Sequence, residues 1–266
     1  MIKINNNAIK FEKFPNEEVL LKNQFKDIKS DHVSIFFKYE KDEDLIHLML
    51  VKKELEMINK TSTLNIMYFP YSRMDRGSDD ICFTLRHICE FLNNLKFESV
   101  KIYEPHSDKC LELTHNSEAK CLSIELFNDF RDEINADYIL FPDKGCLSRY
   151  ESIFSGCGVP IIHGDKKRDF DTGKIISLEI VGDIVPNSTV VIIDDLCASG
   201  KTLSISASKL KELRVGKIYI IVGHAEKTMT QRGILLEDDN IEKIFTTNSI
   251  IHKNQQTGKL FIKEIF

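Results

Sequence analysis

The stretch TVVIIDDLCASGKTLS, residues 189–204, constrains the fold of this chain more than any other segment. Its β-prone apolar residues 190–193 are followed by Asp194 and Asp195, then by a turn of small residues and the start of a helix. Such a continuous apolar run is typical of a strand buried on both faces of a parallel sheet. The stretch therefore predicts a strand, a turn and a helix of an α/β fold, with two carboxylates at the carboxyl end of the strand.

The turn in this stretch has the features of an anion-binding site. Backbone N–H groups of a glycine turn and of a helix N-terminus point at one spot, and the hydroxyls of Ser199 and Thr202 add donors there. Asp194 and Asp195 can accept hydrogen bonds from vicinal sugar hydroxyls, directly or through a magnesium ion and its waters. This combination predicts a site for a ribose phosphate.

The stretch has two other interpretations. The SGKT ending is similar to a Walker loop, but that loop needs a glycine where Asp195 stands, so its phosphate-wrapping turn cannot form. The other is an ordinary strand, turn and helix capped by Ser199, with acids that are merely exposed. The stretch alone leaves this second interpretation open.

Composition limits the class of protein. A chain of 266 residues can hold two domains of about 130 residues each, and 42% apolar with 29% charged residues is typical of a soluble globular protein. The net charge of -5 argues against nucleic acid as a partner. We expect neither a signal peptide nor a membrane anchor, because no apolar run is long enough. The seven scattered cysteines, without a C-x-x-C pair, indicate a reducing cytoplasm rather than disulfides or zinc, and Cys197 has no nearby His to activate it.

Strand and helix patterns alternate along the chain, which predicts two doubly wound parallel α/β layers. In the first layer we predict strands at 32–40, 64–70 and 99–105, with helices at 42–60 and 81–95. In the second we predict strands at 137–143, 159–163, 189–194, 217–224 and 241–247, with helices at 146–155, 201–214 and 228–237. We expect domains at 1–130 and 131–257, with a last strand at about 258–266 free to return to the first.

Polar residues follow the predicted strands, where ligands of open parallel sheets gather. Arg73 and Arg76 flank Asp75 in one loop, and guanidinium groups bind phosphate or stack on adenine. His106, Asp143 and the charged segment 163–175 follow other strands. Taken singly, each of these features has an ordinary explanation that is as good or better. The arginines suit a solvated ion-pair loop, His106 a structural histidine, Asp143 a generic turn and segment 163–175 a solvated surface loop.

Together these segments resemble one family, the ribose-phosphate pyrophosphokinases, also called phosphoribosyl-diphosphate (PRPP) synthetases. VVIIDDLCASGKT resembles the PRPP-binding loop that this family shares with the type I phosphoribosyltransferases. PYSRMDR resembles the ATP loop P-Y-x-R-Q-D-R, with Met74 in place of Gln, and FPDKG resembles S-P-D-x-G. Residues 165–168 keep the D-K-x-R pattern of the catalytic loop, and FPNEE resembles F-x-D-G-E, with Asn16 and Glu17 in place of Asp and Gly.

The resemblance implies two phosphoribosyltransferase-like (Rossmann-like) α/β domains with parallel sheets, the first binding ATP. It implies ATP contacts at Phe14, Asn16, Glu18, Arg73, Met74, Asp75, Arg76 and His106. It implies ribose-phosphate contacts at Asp194, Asp195, Ala198, Ser199, Gly200, Lys201 and Thr202. It implies Mg²⁺ at His106, beside Glu104, and at Asp143, with Lys166 and Arg168 as catalytic residues. The family's aromatic residue covers adenine from a neighbouring subunit, which implies a homo-oligomer, a dimer or hexamer, with the active site near a subunit interface.

The implied reaction transfers the β,γ-diphosphate of ATP to the anomeric hydroxyl of ribose 5-phosphate, which gives PRPP and AMP. Ala198 stands where the family pattern has an Asp, and Lys201 replaces a small residue, so the turn loses a negative charge and gains a positive one. An alternative acceptor is therefore ADP-ribose, which divergent short family members use in NAD salvage. A type I phosphoribosyltransferase and a non-catalytic PRPP-synthetase-associated protein are further alternatives.

Overall fold

A computed structural model gives the fold of residues 1–168 and 175–266, and it describes the side chains of 1–166 and 178–266. The chain divides into two compact units. Unit 1 comprises Met1–Lys120 together with Phe266, and unit 2 comprises Cys121–Ile265.

Unit 1 is built on a mostly parallel sheet. Its elements in chain order are β1 (Ile2–Ile4), β2 (Asn7–Ala8), β3 (Glu12–Lys13), β4 (Val19–Leu20), β5 (His32–Phe37), α1 (Glu43–Met57), β6 (Thr61–Ile66), α2 (Thr84–Asn94), β7 (Ser99–Tyr103), α3 (Lys109–Leu113) and β8 (Ser117–Lys120). Within residues 1–120, all of which are described, six strands form one sheet in the order β2-β1-β5-β6-β7-β8. β5 to β8 run parallel, and β1 pairs antiparallel with β5.

The helices of unit 1 follow from the spacing of their apolar residues. Leu48, Val51 and Leu55 of α1 are buried at intervals that place them on one helix face. Glu43 and Asp44 occupy the first turn of α1, where the helix dipole favours negative charge. This packing fixes the start of α1 beside the carboxyl end of the unit 1 sheet.

Unit 2 has a second parallel sheet with one antiparallel edge strand. Its elements are α4 (Leu122–Asp129), α5 (Arg131–Ile134), β9 (Tyr138–Phe141), α6 (Lys144–Phe154), β10 (Ile161–Arg168), β11 (Ile175–Val181), β12 (Thr189–Cys197), α7 (Lys201–Glu212), β13 (Lys217–Ala225), α8 (Lys227–Arg232), β14 (Lys243–Thr247) and β15 (Leu260–Lys263). In the described part of this unit, seven strands have the order β11-β10-β9-β12-β13-β14-β15. Only β11, of these, runs antiparallel to its neighbour.

The central strand β12 is buried on both faces, as its apolar run predicts. Val190 and Ile192 pack in one cluster with Leu203 and other residues of α7, whereas Val191 and Ile193 pack in another with residues of α4 and α6. Successive side chains of a strand point to opposite faces. The side chains of Asp194 and Asp195 therefore start towards different helical layers.

Two predictions about the domains are wrong. The last strand does not return to the first sheet: β15 pairs parallel with β14, with Leu260 beside Ile244, because its alternating buried residues complete the edge of the second sheet. Only the terminal Phe266 groups with unit 1, where Lys3 Nζ lies 4.4 Å from the centroid of its ring. The division falls after Lys120 and not at residue 130, because the unpredicted helix α4 packs into the core of unit 2.

Two element boundaries also differ from prediction. The strand predicted to end at 163 continues to Arg168 and pairs antiparallel with β11, with Lys166 opposite Leu178, so the predicted charged loop begins inside a strand. The helix predicted at 228–237 ends at Arg232, because Gly233 adopts a φ of 66° and terminates it. Among the described residues, no helix is long and apolar enough to cross a membrane.

Candidate active site

The two predicted acids lie inside β12, which continues to Cys197, rather than at its last residues. Asp195 is 3% exposed, whereas Asp194 is partly buried. The backbone N–H of Asp195 donates to Asp194 Oδ1 at 3.0 Å. Burial and the neighbouring Asp195 carboxylate raise the pKa of Asp194 well above its usual value. The surroundings of Asp194 thus disfavour its charged form, and such pKa shifts are common in functional sites.

Asp195 has a cationic partner that the sequence analysis did not single out. Arg149 Nη1 of α6 lies 2.6 Å from Asp195 Oδ1, and both side chains are largely buried. Burial alone would lower the pKa of Arg149, but the Asp195 carboxylate, together with Tyr150 and Cys146, outweighs it and raises that pKa. The sequence carried one usable signal: Asp143 caps α6, which places Arg149 in the second turn of the same helix.

The turn between β12 and α7 has the geometry of an anion site. Gly200 is the N-cap of α7 with a φ of 82°, in the left-handed region that favours glycine. A Cβ at Gly200 would lie 2.6 Å from Leu235 Cγ. The cap has no side chain to accept from the first-turn N–H groups, which are left available for a ligand.

The other predicted residues of this turn surround Gly200. Ala198, Ser199 and Thr202 are partly buried, and Lys201 is exposed. The Thr228 hydroxyl donates to the Ala198 carbonyl at 2.9 Å, which ties the turn to α8. Backbone N–H and hydroxyl donors therefore lie in one short segment, and the Thr228 hydrogen bond fixes this segment to α8.

Asp143 and Lys166 form an ion pair next to this turn. Asp143 caps α6, with Oδ1 accepting from the Cys146 N–H at 2.9 Å, and Lys166 Nζ lies 2.8 Å from its Oδ2. Burial alone would raise the pKa of Asp143, but the hydrogen bonds from Lys166 and Cys146 outweigh it and hold that pKa below its usual value. Asp143 and Lys166 both act electrostatically on Asp194, so these predicted residues are brought together.

A second ion pair joins the same two elements. Lys144 Nζ lies 2.9 Å from Asp165 Oδ2, at a more exposed position than the Lys166 pair. The side chains of Lys167 and Arg168 lie outside the described residues, as do residues 169–174. The catalytic role of Arg168 therefore stays a prediction.

In unit 1 the arginine loop, residues 70–76, follows β6. Arg73 and Arg76 are exposed, and Arg76 Nε lies 3.5 Å from Asp75 Oδ1. Met74, which replaces the family's Gln, is 37% exposed, and its N–H donates to the Tyr71 carbonyl at 2.9 Å. The loop thus presents two guanidinium groups to solvent.

The start of α1 fixes this loop and the hairpin β3–β4. Tyr71 has a φ of 60°, which is uncommon for a bulky residue, and its hydroxyl donates to Asp42 Oδ1 at 2.6 Å. In the hairpin, Lys13 Nζ lies 3.0 Å from Glu43 Oε2. Asp42 and Glu43 are neighbours in sequence, so one helix start orders both segments.

The remaining unit 1 predictions lie in the hairpin and after β7. Phe14 is 49% exposed near the hairpin tip, where Asn16 Oδ1 accepts from the Glu18 N–H at 3.3 Å. His106 is partly buried and follows Glu104, which is buried with a φ of 46°. No group of three or more His, Cys, Asp or Glu suited to a metal occurs among the described residues. A magnesium ion here would need ligands from substrate phosphates and water.

Comparisons with known proteins agree with these features. Residues 169–265 match the family described as the phosphoribosyl synthetase-associated domain. The ribose-phosphate pyrophosphokinase of Thermococcus kodakarensis is 25% identical over 245 residues, which are 91% of this chain and 85% of that protein. The ribose-phosphate pyrophosphokinase of Saccharolobus solfataricus is 27% identical over 208 residues, which are 74% of this chain and 70% of that protein.

The fold has a counterpart among solved structures. The phosphoribosylpyrophosphate synthetase of Mycobacterium smegmatis superposes with a TM-score of 0.77 at 18% identity, covering 97% of this chain and 86% of that one. This similarity confirms the predicted fold class, two phosphoribosyltransferase-like α/β domains with parallel-rich sheets. With the sequence similarity over most of the chain, this makes the protein similar to the ribose-phosphate pyrophosphokinases (PRPP synthetases) and supports a diphosphokinase enzyme.

Proposed function

We propose that the protein transfers the β,γ-diphosphate of ATP to the anomeric C1 hydroxyl of ribose 5-phosphate, with PRPP and AMP as products. The observation that carries this proposal is the grouping of Asp143, Lys166 and Asp194 around one edge of the unit 2 sheet, next to the turn at Gly200. A sugar-phosphate acceptor needs an acid for its hydroxyls and an anion-binding turn for its phosphate. The transferring diphosphate needs a cation.

In this proposal the turn binds the acceptor. The N–H groups at the start of α7, with the hydroxyls of Ser199 and Thr202, hold the 5-phosphate. Asp194 accepts hydrogen bonds from the ribose hydroxyls, and Asp195 supports it from the strand. The anomeric hydroxyl is thereby held in a fixed direction, which lowers the entropic barrier to attack.

The chemical step is a displacement at the β-phosphorus. The C1 oxygen forms a bond to the β-phosphorus, and the bond between the β-phosphorus and the α,β-bridging oxygen breaks. AMP leaves with the electron pair of that bond, and the hydroxyl proton passes to solvent. Lys166 stabilises the negative charge that develops on the transferring group, and Arg168 is proposed to act with it. Lys166 must exchange its Asp143 partner for phosphate oxygens to do so.

ATP is proposed to bind through unit 1. Arg73 and Arg76 contact phosphates or stack on adenine, with Phe14, Asn16, Glu18, Met74, Asp75 and His106 completing the contacts that the resemblance implies. His106 of unit 1 and Asp143 of unit 2 are each proposed as a Mg²⁺ ligand, and the ion would neutralise charge on the phosphate oxygens. The Asp143 carboxylate suits such an ion because it is partly exposed and presents oxygen donors.

The second candidate acceptor is the ribose 5-phosphate end of ADP-ribose, as in NAD salvage. Exposed Lys201 and the small Ala198 favour it, since they leave a more open and more cationic turn beside the proposed phosphate position. A diphosphate with an attached nucleoside suits such a turn.

We further propose that both substrates are small molecules and that neither nucleic acid nor membrane takes part. A homo-oligomer, a dimer or hexamer, would let Phe14 reach the ATP site of a neighbouring subunit, and its 49% exposed ring is available for this. We also propose a cytoplasmic location, since the seven scattered cysteines without a C-x-x-C pair are typical of a reducing compartment. Light scattering of wild type and Phe14→Ala during turnover tests the oligomer.

The function is tested by incubating the protein with ATP and Mg²⁺ plus either ribose 5-phosphate or ADP-ribose, and measuring AMP. We expect acceptor-dependent AMP with one of the two. Silence with both contradicts it, and diphosphate release from PRPP that depends on a nucleobase would indicate a phosphoribosyltransferase instead.

A further inference from the structure

Two adjacent acids of β12 have different environments. Asp195 lies on the α6 side of the strand, 3% exposed and 2.6 Å from Arg149 Nη1. Asp194 has no such cation in direct contact among the described side chains, and Lys166 acts on it only at longer range, as one of several charges. The two carboxylates therefore cannot play the same part.

Arg149 is itself held firmly. Its guanidinium carbon lies 5.6 Å from the ring centroid of Tyr150, and its side chain is 20% exposed on the second turn of α6. The same helix is fixed at its N-terminus by the Asp143 cap. A guanidinium on a packed helix is a rigid anchor, because both its position and its plane are set by neighbours.

The anchor acts on the proposed sugar-binding carboxylate through the backbone. Arg149 fixes the Asp195 side chain, and the Asp195 N–H donates to Asp194 Oδ1 at 3.0 Å. Arg149 also neutralises one of two adjacent buried acids, whose mutual repulsion would otherwise favour turning Asp194 away. Geometry and charge both make the orientation of Asp194 depend on Arg149.

We propose that Arg149 is a positioning residue for the pentose acceptor, an inference that rests on the proposed function. It holds Asp195 in the strand so that Asp194 faces the ribose hydroxyls. Its removal affects acceptor binding and leaves the ATP site of unit 1 intact. Asp195 thereby contributes through Asp194 rather than by contacting the sugar.

The test compares Arg149→Met, Arg149→Lys and the charge-balanced double variant Arg149→Met/Asp195→Asn. Arg131→Met is the matched control, because Arg131 Nη2 donates to the Cys157 carbonyl, at 2.7 Å, at another place in unit 2. For each protein one measures KM for acceptor and for ATP, calorimetric binding of the acceptor, and the melting temperature.

We expect Arg149→Met to raise the acceptor KM by about ten-fold or more, with the ATP KM within about two-fold of wild type. Arg149→Lys should recover part of the affinity, since it restores charge but not the guanidinium geometry. If Arg149→Met does not fold, the double variant, which removes both charges of the Arg149–Asp195 pair, carries the test. It should regain melting temperature without regaining acceptor affinity.

Two results would overturn the inference. One is wild-type acceptor affinity in folded Arg149→Met, and the other is full acceptor affinity in the double variant, which would reduce the pair to a structural role. Failure of the proposed function looks different, because wild type itself would then bind neither ribose 5-phosphate nor ADP-ribose. That result would remove both proposals.

Discussion

Lys166 Nζ and Asp143 Oδ2 lie 2.8 Å apart, which joins strand β10 to the first turn of α6. The lysine side chain is 6% exposed although it carries a charge, and the pair depresses the pKa of Asp143. A cation held in this way is preorganised, and in the proposed function it stabilises charge on the transferring diphosphate. The contact therefore connects the proposed catalytic residue with the proposed metal ligand.

Lys166→Ala should lower kcat by about a hundred-fold or more, because it removes a cation that stabilises transition-state charge. Lys144→Ala is its control: it deletes the neighbouring, exposed ion pair with Asp165 and should leave kcat within about two-fold. Steady-state AMP release measures both. Near-normal turnover in Lys166→Ala would show that the segment has another role.

Gly200→Ala should weaken both the fold and acceptor binding. Its φ of 82° costs a side-chain residue about 1–2 kcal/mol, and the added Cβ would lie 2.6 Å from Leu235 Cγ. The control is Gly156→Ala, where nothing lies within 4 Å of an added Cβ. Thermal unfolding should place Gly200→Ala several degrees below wild type, and equal melting temperatures for the two variants would disprove the turn geometry.

We expect Asp194→Asn to stabilise the fold and to weaken acceptor binding. The folded-state pKa of Asp194 is raised, so its contribution to stability is fully present below the unfolded pKa, near the ordinary 3.8, and is lost as pH rises through the folded value. The neutral amide does not ionise, so the variant does not lose this stability and should have a higher melting temperature than wild type at neutral pH. Its acceptor KM should rise.

Unfolding free energies measured as a function of pH check this sign. The gap between Asp194→Asn and wild type should widen with rising pH, whereas Asp195→Asn should destabilise the fold because it leaves Arg149 without its carboxylate. A gap that narrows with rising pH would contradict the raised pKa.

Tyr71→Phe should raise the KM for ATP several-fold, because it removes the hydroxyl that ties the arginine loop to Asp42 at 2.6 Å. Tyr39→Phe deletes the other phenol on the same carboxylate oxygen, at 2.5 Å, and should change this KM less. Amide hydrogen exchange over residues 70–76 should accelerate in Tyr71→Phe only. Unchanged exchange there would show that the contact does not order the loop.

Much of this fold is predictable because its signals are local. The continuous apolar runs of β9, β12 and β13 are strands buried on both faces, and β5 alternates buried with more exposed residues, so each run carries its own strand signal. Gly200 in its turn is predictable for the same reason, since only glycine suits a left-handed cap that is also crowded. Ion pairs such as Lys166 with Asp143 were predicted only as separate residues of one site.

The errors concern long-range relations, which composition and spacing do not encode. β15 pairs with β14 of unit 2, a long-range pairing that the pattern of the strand itself does not specify. Helix α4 is short, so its pattern gave no warning that it begins unit 2 before residue 130. Arg149 was overlooked because its partner Asp195 is far along the chain, and only the packing of α6 against β12 brings them together.

The most direct test of the account uses ATP with radioactive phosphorus in the γ-phosphate, together with Mg²⁺ and each acceptor. If the protein transfers a diphosphate, the label appears in the acceptor product while unlabelled AMP accumulates in equal amount. Label in inorganic phosphate or in a monophosphorylated acceptor, with ADP as the other product, would contradict the central claim.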